Sequence, residues 1–537
     1  MSIPASLREG PRTTNALAKK AYLIVYLLIM TLGAQPTVFC FWAFWKSFYS
    51  QGTIFYILFP VVFLLGVIVM MLSSAIISKI FLSIANLFHR PKQGIFKFNK
   101  NDKDYCYWSL RSVIKKWPIW LGRQLSIPFF ETLIYRILGV HVPFSAALHD
   151  SWTDCEFIKI GKRTKIGQGT IIMSNLIIED KLIIKEVVIG QNVLIGARSV
   201  ILPGTIIEDN AVIDCNSVTG INQHIDQDQL YRGNPAIKIA EMNSFKGIQN
   251  LQDTIFKPEG KIEDEDNFLR AHVKELRVPF HLYIISGIII IGFSFIVPGF
   301  IFYFYVFKIL APYLFAYSLS LSIIFNPFLI TLLLLTPLIF IAIYLLHLFF
   351  VALFTKYFYR VADKRGPSHG IYDRNLETSI KTLDYYHFGS FLMKYPIFAF
   401  SRSPFPWFLN WELNFLESNK IGKDTILEET FIHSHINFGN KCYIGTFSHM
   451  TNHLVDGVYG EENLTFIGIN IGNRVILSPI TGGLPGTEIG DDATLLPGCT
   501  TLKYDKLIGN GIYAGFPAKR LSDEEVKKLY GEDQIDQ

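Results

Sequence analysis

Charged residues are scarce in this 537-residue chain, at 18%, whereas hydrophobic residues make up 50% and the mean hydropathy is +0.31. This composition excludes an ordinary soluble globular protein and predicts membrane spans. Cysteine is also scarce, with six residues and no C-x-x-C pair. The cysteines therefore give no disulfide framework and are typical of a reducing compartment. The net charge of +5 gives no reason to expect a nucleic-acid partner.

Two blocks of the sequence are nearly free of charge. The first contains the runs 21–45 and 55–78, and the second extends over 279–354. A helix of this length crosses a hydrocarbon core of roughly 30 Å at about 1.5 Å per residue. The first block therefore predicts a helical hairpin. The second predicts spans near 282–307 and 328–354, with residues 312–326 forming an interfacial turn or a further broken span.

Basic residues flank the outer ends of both blocks, for example Lys19 and Lys20 before the first and Lys356 and Arg360 after the second. The positive-inside rule places all four flanks in the cytoplasm. Each block then crosses the membrane an even number of times. We therefore expect an integral protein of the inner or plasma membrane, with the domains that follow each block on the cytoplasmic side.

A six-residue spacing of aliphatic residues runs through two distant parts of the chain. The first copy contains Ile160, Ile166, Ile172, Ile178 and Ile184 and, after a slip of one residue, Ile189, Ile195, Ile201, Ile207 and Ile213. The second contains Ile426, Ile432, Phe438, Ile444 and Met450 and, after an insertion at 454–466, Ile471, Leu477, Ile489 and Leu495. One inward aliphatic residue per hexapeptide is typical of a parallel β-helix, in which each coil buries its apolar side chains only by stacking on the next.

The order of segments is repeated, which indicates an internal duplication. We expect a transmembrane hairpin over residues 1–88, a β-helix with an aromatic lead-in over 89–240 and a linker over 241–278. A second transmembrane block over 279–357 and a second β-helix with its lead-in over 358–537 follow. The aromatic and basic lead-ins suit a lipid headgroup layer or the core beneath the coils.

Both copies end alike, with Gly233-Asn234-Pro235-Ala236 in the first and Gly515-Phe516-Pro517-Ala518 in the second. The hexapeptides, two LPG turns and this closing motif resemble the left-handed parallel β-helix acyltransferases. The tandem arrangement with membrane segments resembles the C-terminal region of ε-poly-lysine synthetases, a type of non-ribosomal peptide synthetase. This chain lacks their adenylation and carrier domains, so the resemblance implies a separate carrier protein and adenylating enzyme as partners. It also implies a homo-oligomer, or tandem copies that pair within the chain.

In the family that the chain resembles, a histidine deprotonates the acceptor and a thioester arm lies along the coils. The second copy contains the histidines His433, His435, His449 and His453, whereas Phe157 and Asn175 of the first copy stand opposite His435 and His453. We therefore expect a catalytic second copy and a degenerate, structural first copy. His453 is the predicted general base, His435 the second ring and Asp456 or Glu461 the orienting carboxylate.

The spacing of His435 and His453 corresponds to three hexapeptides, which is one full coil, so the two rings are expected to stack about 5 Å apart. The resemblance also implies a coenzyme-binding end at Gly515, Pro517, Ala518 and Lys519. The donor would be a thioester of coenzyme A or of phosphopantetheine, and no metal is expected.

The leading functional prediction is a membrane-bound acyl- or aminoacyltransferase. It would form an amide or ester from a thioester donor at the cytoplasmic face, with membrane lipid as its surroundings. The first alternative is an acetyl-CoA-dependent O- or N-acetyltransferase of an envelope precursor. Two other classes stay open: a non-catalytic membrane scaffold, and a metal enzyme like the γ-class carbonic anhydrases with His435, His449 and His453 as ligands.

Overall fold

The computed structural model describes residues 12–124, 127–148, 151–241, 280–317, 326–373, 381–455 and 463–530. The predicted linker 241–278, apart from residue 241, lies outside these ranges, as do residues 318–325 of the segment for which a turn or broken span is predicted.

The helices form a membrane-type bundle and two lead-ins. They are α1 (Tyr22–Phe48), α2 (Thr53–Phe88), α3 (Lys103–Gln124), α4 (Pro128–Leu138), α5 (Phe280–Gly287), α6 (Ile296–Phe304), α7 (Ala311–Ala316), α8 (Pro327–Arg365), α9 (Lys381–Ser401), α10 (Leu409–Leu416) and α11 (Asp523–Tyr530). Two π-helical stretches, Ile288–Gly292 and Tyr305–Leu310, and the 3-10 turn Phe293–Phe295 join α5, α6 and α7. Further 3-10 turns are Tyr49–Gln51 and Pro406–Phe408.

Four helical segments are long and apolar enough to cross a membrane, and they lie where the uncharged blocks predict them. They are Tyr22–Gln51, Thr53–Phe88, Phe280–Ala316 and Pro327–Arg365. Small residues bring helices close together. A Cβ on Gly33 of α1 would lie 2.4 Å from Ser74 Oγ of α2, so only glycine permits this contact.

The strands of the first half are short, and most contribute a single inward aliphatic residue. They are β1 (Gly94–Lys97), β2 (Trp152–Thr153), β3 (Ile158–Ile160), β4 (Lys165–Ile166), β5 (Ile171–Ile172), β6 (Asn175–Ile178), β7 (Lys181–Ile184), β8 (Val187–Ile189), β9 (Leu194–Ile195), β10 (Val200–Ile201), β11 (Ile206–Ile207), β12 (Val212–Ile213), β13 (His224–Ile225), β14 (Gln229–Gly233) and β15 (Ala236–Glu241).

The strands of the second half repeat this series. They are β16 (Gly370–Asp373), β17 (Lys420–Ile421), β18 (Ile426–Leu427), β19 (Phe431–Ile432), β20 (Ile436–Phe438), β21 (Tyr443–Ile444), β22 (His449–Met450), β23 (His453–Val455), β24 (Asn463–Phe466), β25 (Ile469–Ile471), β26 (Ile476–Leu477), β27 (Gly482–Gly483), β28 (Glu488–Ile489), β29 (Thr494–Leu495), β30 (Lys506–Leu507), β31 (Ile512–Ala514) and β32 (Lys519–Arg520).

In each half, successive coils pair in parallel and build three sheets, which we name A, B and C; the whole is called a stack. In the first stack the parallel strands are β3, β8, β11 and β13 in sheet A, β4, β9, β12 and β14 in sheet B, and β2, β5 and β10 in sheet C. In the second stack they are β17, β20, β25, β28 and β30 in A, β18, β21, β26, β29 and β31 in B, and β19, β22 and β27 in C. Antiparallel β15 and β32 close the two B sheets.

The parallel partners follow the spacing expected of hexapeptides. Most partners are separated by one coil of three hexapeptides, such as Val212 with Leu194 and Thr494 with Ile476. The repeating aliphatic residues point inward, and Ile195 and Leu495 are fully buried. The glycines that follow them are sterically required, because a Cβ on Gly161 would lie 2.4 Å from a backbone atom of the next coil.

One part of the predicted spacing is wrong: Ile178 and Ile184 do not lie on the coils. They belong to an antiparallel hairpin, β6–β7, which inserts between two coils, so that Ile171 pairs with Val200 on the far side of the hairpin. The second stack has the same insertion, β23–β24, across which His449 pairs with Gly482. Strands β1 and β16, which follow the long apolar helices α2 and α8, pair with these hairpins.

The two stacks pack against each other through different surfaces. Outward residues of sheet C in the first stack contact the second stack at Phe447, Leu496 and Ile512. The segment that precedes α1 joins them further: Thr14 Oγ1 and Asn15 N donate to Glu428, and Arg12 forms an ion pair with Glu429. Sheet C of the first stack is therefore covered by the second stack.

Candidate active site

Three histidines meet at the corner of the second stack where sheet C turns into sheet A. His433 directly follows β19, His435 precedes β20, and His453 is the first residue of β23. His435 has a φ of 60°, which lets the chain turn sharply into β20. The corner also carries the inserted hairpin, so these rings lie where the regular coil is interrupted.

His453 is held by its neighbour in the sequence. Its Nδ1 lies 3.1 Å from Asn452 Oδ1, and Asn452 is buried and donates through Nδ2 to Ser434 Oγ at 3.2 Å. An amide oxygen only accepts, so this contact favours the tautomer with the imidazole proton on Nδ1; Thr451 Oγ1, 3.4 Å from the same nitrogen, can donate or accept. In that tautomer Nε2 is the basic nitrogen, which is the state a general base requires.

Two rings without a positive charge lie beside His453. His433 lies edge-on at 4.5 Å between ring centroids, and Tyr386 of α9 lies at 5.1 Å. Burial lowers the pKa of His433 to about 4, with a smaller contribution from Lys394. Burial also lowers the pKa of His449. At neutral pH, therefore, His433 does not repel the imidazolium that forms when His453 accepts a proton.

His435 has a different partner, which the sequence did not indicate. Its Nε2 lies 3.1 Å from Asp363 Oδ1, close to the end of α8. His369 approaches His435 edge-on at 5.6 Å between centroids. Asp363 lies far upstream of His435 in the sequence, on a helix that the composition assigns to the membrane. One indication of Asp363 is available in the sequence: it is the single acidic residue among the basic residues that follow the second apolar block.

The predicted direct stacking of His435 on His453 is wrong. His435 contacts Phe466 at 5.5 Å, Phe466 contacts Tyr386 at 5.9 Å, and Tyr386 contacts His453. The physical reason is the hairpin, because the chain leaves the coil at His453 and pairs it with Phe466. Both predicted orienting carboxylates, Asp456 and Glu461, lie outside the described residues.

A cleft of about 290 Å³ opens on the outer face of sheet A, beside His435. His369 and His435 line one side, and Asn437, Asn470 and Glu488 lie along the sheet. Burial and the neighbouring His435 lower the pKa of His369. Phe466 and Tyr386 thus form a chain of ring contacts between His435, at the cleft, and His453.

The equivalent corner of the first stack carries different side chains. The strand register matches Asp154 to His433, Phe157 to His435 and Asn175 to His453. Asp154 Oδ2 accepts hydrogen bonds from Ser174 N at 2.8 Å and from Asn175 Nδ2 at 2.6 Å. Burial raises the pKa of Asp154 to about 7. The first stack thus places no imidazole at these three positions.

The predicted coenzyme-binding residues lie at the far end of the second stack. Gly515 has a φ of 84°, Ala518 N donates to Thr500 O at 2.8 Å, and Lys519 is exposed in β32. From His449 the outer row of sheet C runs through Gly482 and Thr500 to Gly515. Three strand spacings separate the two ends, about 14 Å.

The alternative metal site has no support in the geometry. His435, His449 and His453 have separate contacts, and within the described residues no group of three or more His, Cys, Asp or Glu side chains is placed to hold a metal ion. His449 instead lies over Gly482, where a Cβ would come within 2.6 Å of its Nε2.

Residues 186–219 of the first stack match the family model described as hexapeptide repeat of succinyl-transferase. This match supports an acyltransferase. No curated protein sequence matches the chain significantly.

Solved structures similar to part of the chain include a hexapeptide-repeat acetyltransferase of Vibrio cholerae, with 22% identity over 24% of this chain and 89% of that one, at a TM-score of 0.20. A maltose O-acetyltransferase of Clostridium difficile 630 has 18% identity over 24% and 84% of the two chains, at a TM-score of 0.19. A galactoside acetyltransferase in complex with coenzyme A has 18% identity over 28% and 87%, at a TM-score of 0.19.

Proposed function

We propose that the protein is a membrane-bound acyltransferase that works at the cytoplasmic face. It transfers an acyl or aminoacyl group from a thioester, carried by coenzyme A or by the phosphopantetheine of a carrier protein, to an amine or hydroxyl. His453 is the general base. The observation that supports this proposal is the contact of 3.1 Å between His453 Nδ1 and Asn452 Oδ1, which favours the tautomer with its proton on Nδ1 and its basic nitrogen at Nε2.

The proposed reaction uses the thioester, the acceptor and His453. His453 Nε2 takes the proton of the acceptor as its oxygen or nitrogen attacks the thioester carbonyl. The tetrahedral intermediate then collapses, the carbon–sulfur bond breaks, and the leaving thiolate takes the proton from the imidazolium. The products are an ester or amide and a free thiol.

The outer face of sheet C supplies a path for the donor. Gly482, which His449 covers, and Thr500 lie between His449 and the closing residues Gly515 to Lys519. An arm that runs over His449 and Thr500 would place its thioester near the histidine corner and its phosphates near Lys519 and Arg520. Lys519 is exposed, as a phosphate ligand must be.

The remaining assignments follow from this proposal. Each stack is a left-handed β-helix within the predicted boundaries 89–240 and 358–537, the first structural and the second catalytic. The four apolar segments span the inner or plasma membrane. Kinship with ε-poly-lysine synthetases favours an amide product, a carrier protein and an adenylating enzyme as partners, and assembly of several copies. An acetyl-CoA-dependent acetyltransferase of an envelope precursor is the second candidate.

The test is thiol release from acetyl-CoA and from an acylated carrier protein, by the full chain in lipid nanodiscs. His453→Ala should lower the acceptor-dependent rate by about 10² or more. His224→Ala, which changes an exposed ring on the first stack, is the matched control and should keep the rate. A His453→Ala protein as active as the control would refute the proposal and favour a scaffold.

A further inference from the structure

The cleft on sheet A of the second stack is lined by groups that donate and accept hydrogen bonds. Asn437 Nδ2 donates to Asn470 Oδ1 at 2.8 Å, which forms an amide ladder along the strands. His435 faces the ladder from the corner, held by Asp363. Glu488 continues the row on the next strand. A ligand in this cleft would meet amides, imidazoles and a carboxylate.

The fold itself does not require this polar lining, because the first stack lacks it. Strand register matches Asn437, Asn470 and Glu488 to Lys159, Val188 and Ile206. Alignment of β1 with β16, and of β3 with β20, matches Asp363, His369 and His435 to Leu87, Gln93 and Phe157. Ile206 and Leu87 are 43% and 85% exposed. Four of the six counterparts are apolar, so most of the polar lining is specific to the second stack.

The acidic side chains of the cleft have basic partners. Glu417 binds Lys356 Nζ at 2.9 Å and Arg360 Nη2 at 2.8 Å, and Glu488 lies 3.2 Å from Lys506. Lys420 also lines the cleft, so basic side chains outnumber the two glutamates and can meet the phosphate of a headgroup. Its amides and imidazoles suit hydroxyl and amine groups. Its volume, about 290 Å³, lies at the small end of ligand pockets.

The cleft lies close to the end of a helix that can span the membrane. Asp363 lies about two helical turns beyond Lys356, the first charged residue after the apolar part of α8. Two helical turns extend about 10 Å. The headgroup layer on each side of the hydrocarbon core is roughly 5 to 8 Å thick. The cleft is therefore at the outer edge of that layer, within reach of a lipid headgroup.

We propose that this cleft binds the headgroup of a membrane lipid bearing a hydroxyl or amine, and that this lipid is the acyl acceptor; the acceptor role rests on the function proposed above. His435, held by Asp363, positions the headgroup. Proton removal stays with His453, which is paired across the hairpin with Phe466 at the border of the cleft. The acyl group moves to the headgroup, and the donor thiol leaves.

The test uses the full chain in nanodiscs of phosphatidylethanolamine and phosphatidylglycerol. A benzophenone amino acid replaces Asn437 in one variant and its first-stack counterpart Lys159 in the matched control. After illumination, lipid adducts are counted on the peptides by mass spectrometry. We expect roughly tenfold more adducts at position 437 than at 159. Equal yields at the two positions overturn the proposal.

A second arm separates a lipid from a free acceptor. The same variants in phospholipid-free detergent receive glycerophosphoethanolamine and glycerophosphoglycerol, the water-soluble headgroups. Adducts with these molecules, without lipid adducts in nanodiscs, would assign the cleft to a soluble acceptor and overturn the proposal. Lipid adducts at 437 in a protein that releases no thiol would retain the lipid site and refute the acyltransferase, so the two failures are distinguishable.

Discussion

At the scale of single residues, the proposed mechanism assigns to Asn452 the choice of the nitrogen of His453 that takes the proton. Asn452→Ala should lower kcat roughly 10- to 100-fold with little change in KM, because the ring loses its fixed tautomer. Asn452→Asp keeps an acceptor at Nδ1 and should restore much of the rate. Its negative charge raises the pKa of His453, so the acidic limb of the pH–rate profile moves to higher pH. Identical profiles for Asn452→Asp and wild type would contradict this role.

His433 gives the protein a pH-dependent stability. Its pKa of about 4 lies below the ordinary value of 6.5, so between these values the unfolded chain binds a proton that the folded chain does not. The full contribution is present above pH 6.5 and is lost as the pH falls toward 4, by at most about 3 kcal/mol since the ring is partly exposed. His433→Asn should lose this dependence in thermal unfolding, whereas the control His224→Asn should keep it.

Asp154, the first-stack counterpart of His433, should change stability with pH in the opposite direction. The pKa of Asp154, about 7, lies above the ordinary value of 3.8, so the folded chain binds the extra proton. Stability from this group is present at low pH and is lost as the pH rises through 7. Asp154→Asn should therefore unfold at a higher temperature than wild type above pH 7 and show no such gain near pH 4. A constant difference across this range would contradict the assignment.

Residue types predicted the site only in part. The clustering of histidines in the second copy indicated His453 and the loss of its counterpart at Asn175. Nothing in the spacing indicated Asp363, because it comes from a different element and reaches His435 only through the tertiary fold. The role of Asn452 was missed although it is adjacent to His453, since a sequence does not show which way a side chain points.

At the scale of elements, the six-residue spacing concealed a change of structure. The hairpin β6–β7 is buried on both faces, with Ile178 on one face and Ile184 on the other. Because aliphatic residues occupy both faces, the spacing of six could continue through the hairpin although the two isoleucines do not share a face. Only the slip to Ile189 revealed the insertion. In the second copy, the loss of the spacing after Met450 marked the hairpin directly.

The two hairpins provide a matched pair of variants. Leu182 of β7 and Leu464 of β24 occupy equivalent positions, and both are fully buried. Each Leu→Ala change should cost about 2 to 5 kcal/mol of unfolding free energy. Leu464 packs against Tyr386 and Phe466, whose rings border the histidines, so Leu464→Ala should also lower kcat. Leu182→Ala, measured as thermal stability and thiol release, should lower stability alone.

Equal loss of activity in both variants would show that the hairpin of the second stack has no special place in the site. Equal thermal destabilisation with activity lost only in Leu464→Ala would support the position of the Phe466 and Tyr386 rings beside the base. The comparison is internal, because both leucines lie on the middle strand of the same three-stranded arrangement.

At the scale of the whole molecule, the outer face of sheet C differs between the two stacks. The outward residues of sheet C in the first stack are covered by the second stack and are apolar: Trp152, Ile171, Val200 and Val218. The equivalent residues of the second stack are Phe431, His449, Gly482 and Thr500. Because the contact joins unlike surfaces, His449 of the second sheet C stays exposed and Phe431 and Thr500 stay partly exposed, whereas Gly482 is buried. The packing that buries this row in the first stack thus leaves His449 at the surface of the second, along the path proposed for the donor.

The direction of the helices should place both stacks on one side of the membrane. The chain enters α1 beside the first stack, where Ala18 N donates to Ser109 Oγ, and α2 returns to β1. With Cys40→Ser, the exposed Cys215 of the first stack should react with an impermeant maleimide only after permeabilisation. Gln51→Cys at the far turn, in a Cys40→Ser/Cys215→Ser background, should react in intact cells. Labelling of Cys215 in intact cells would place the stacks outside and exclude a cytoplasmic thioester donor.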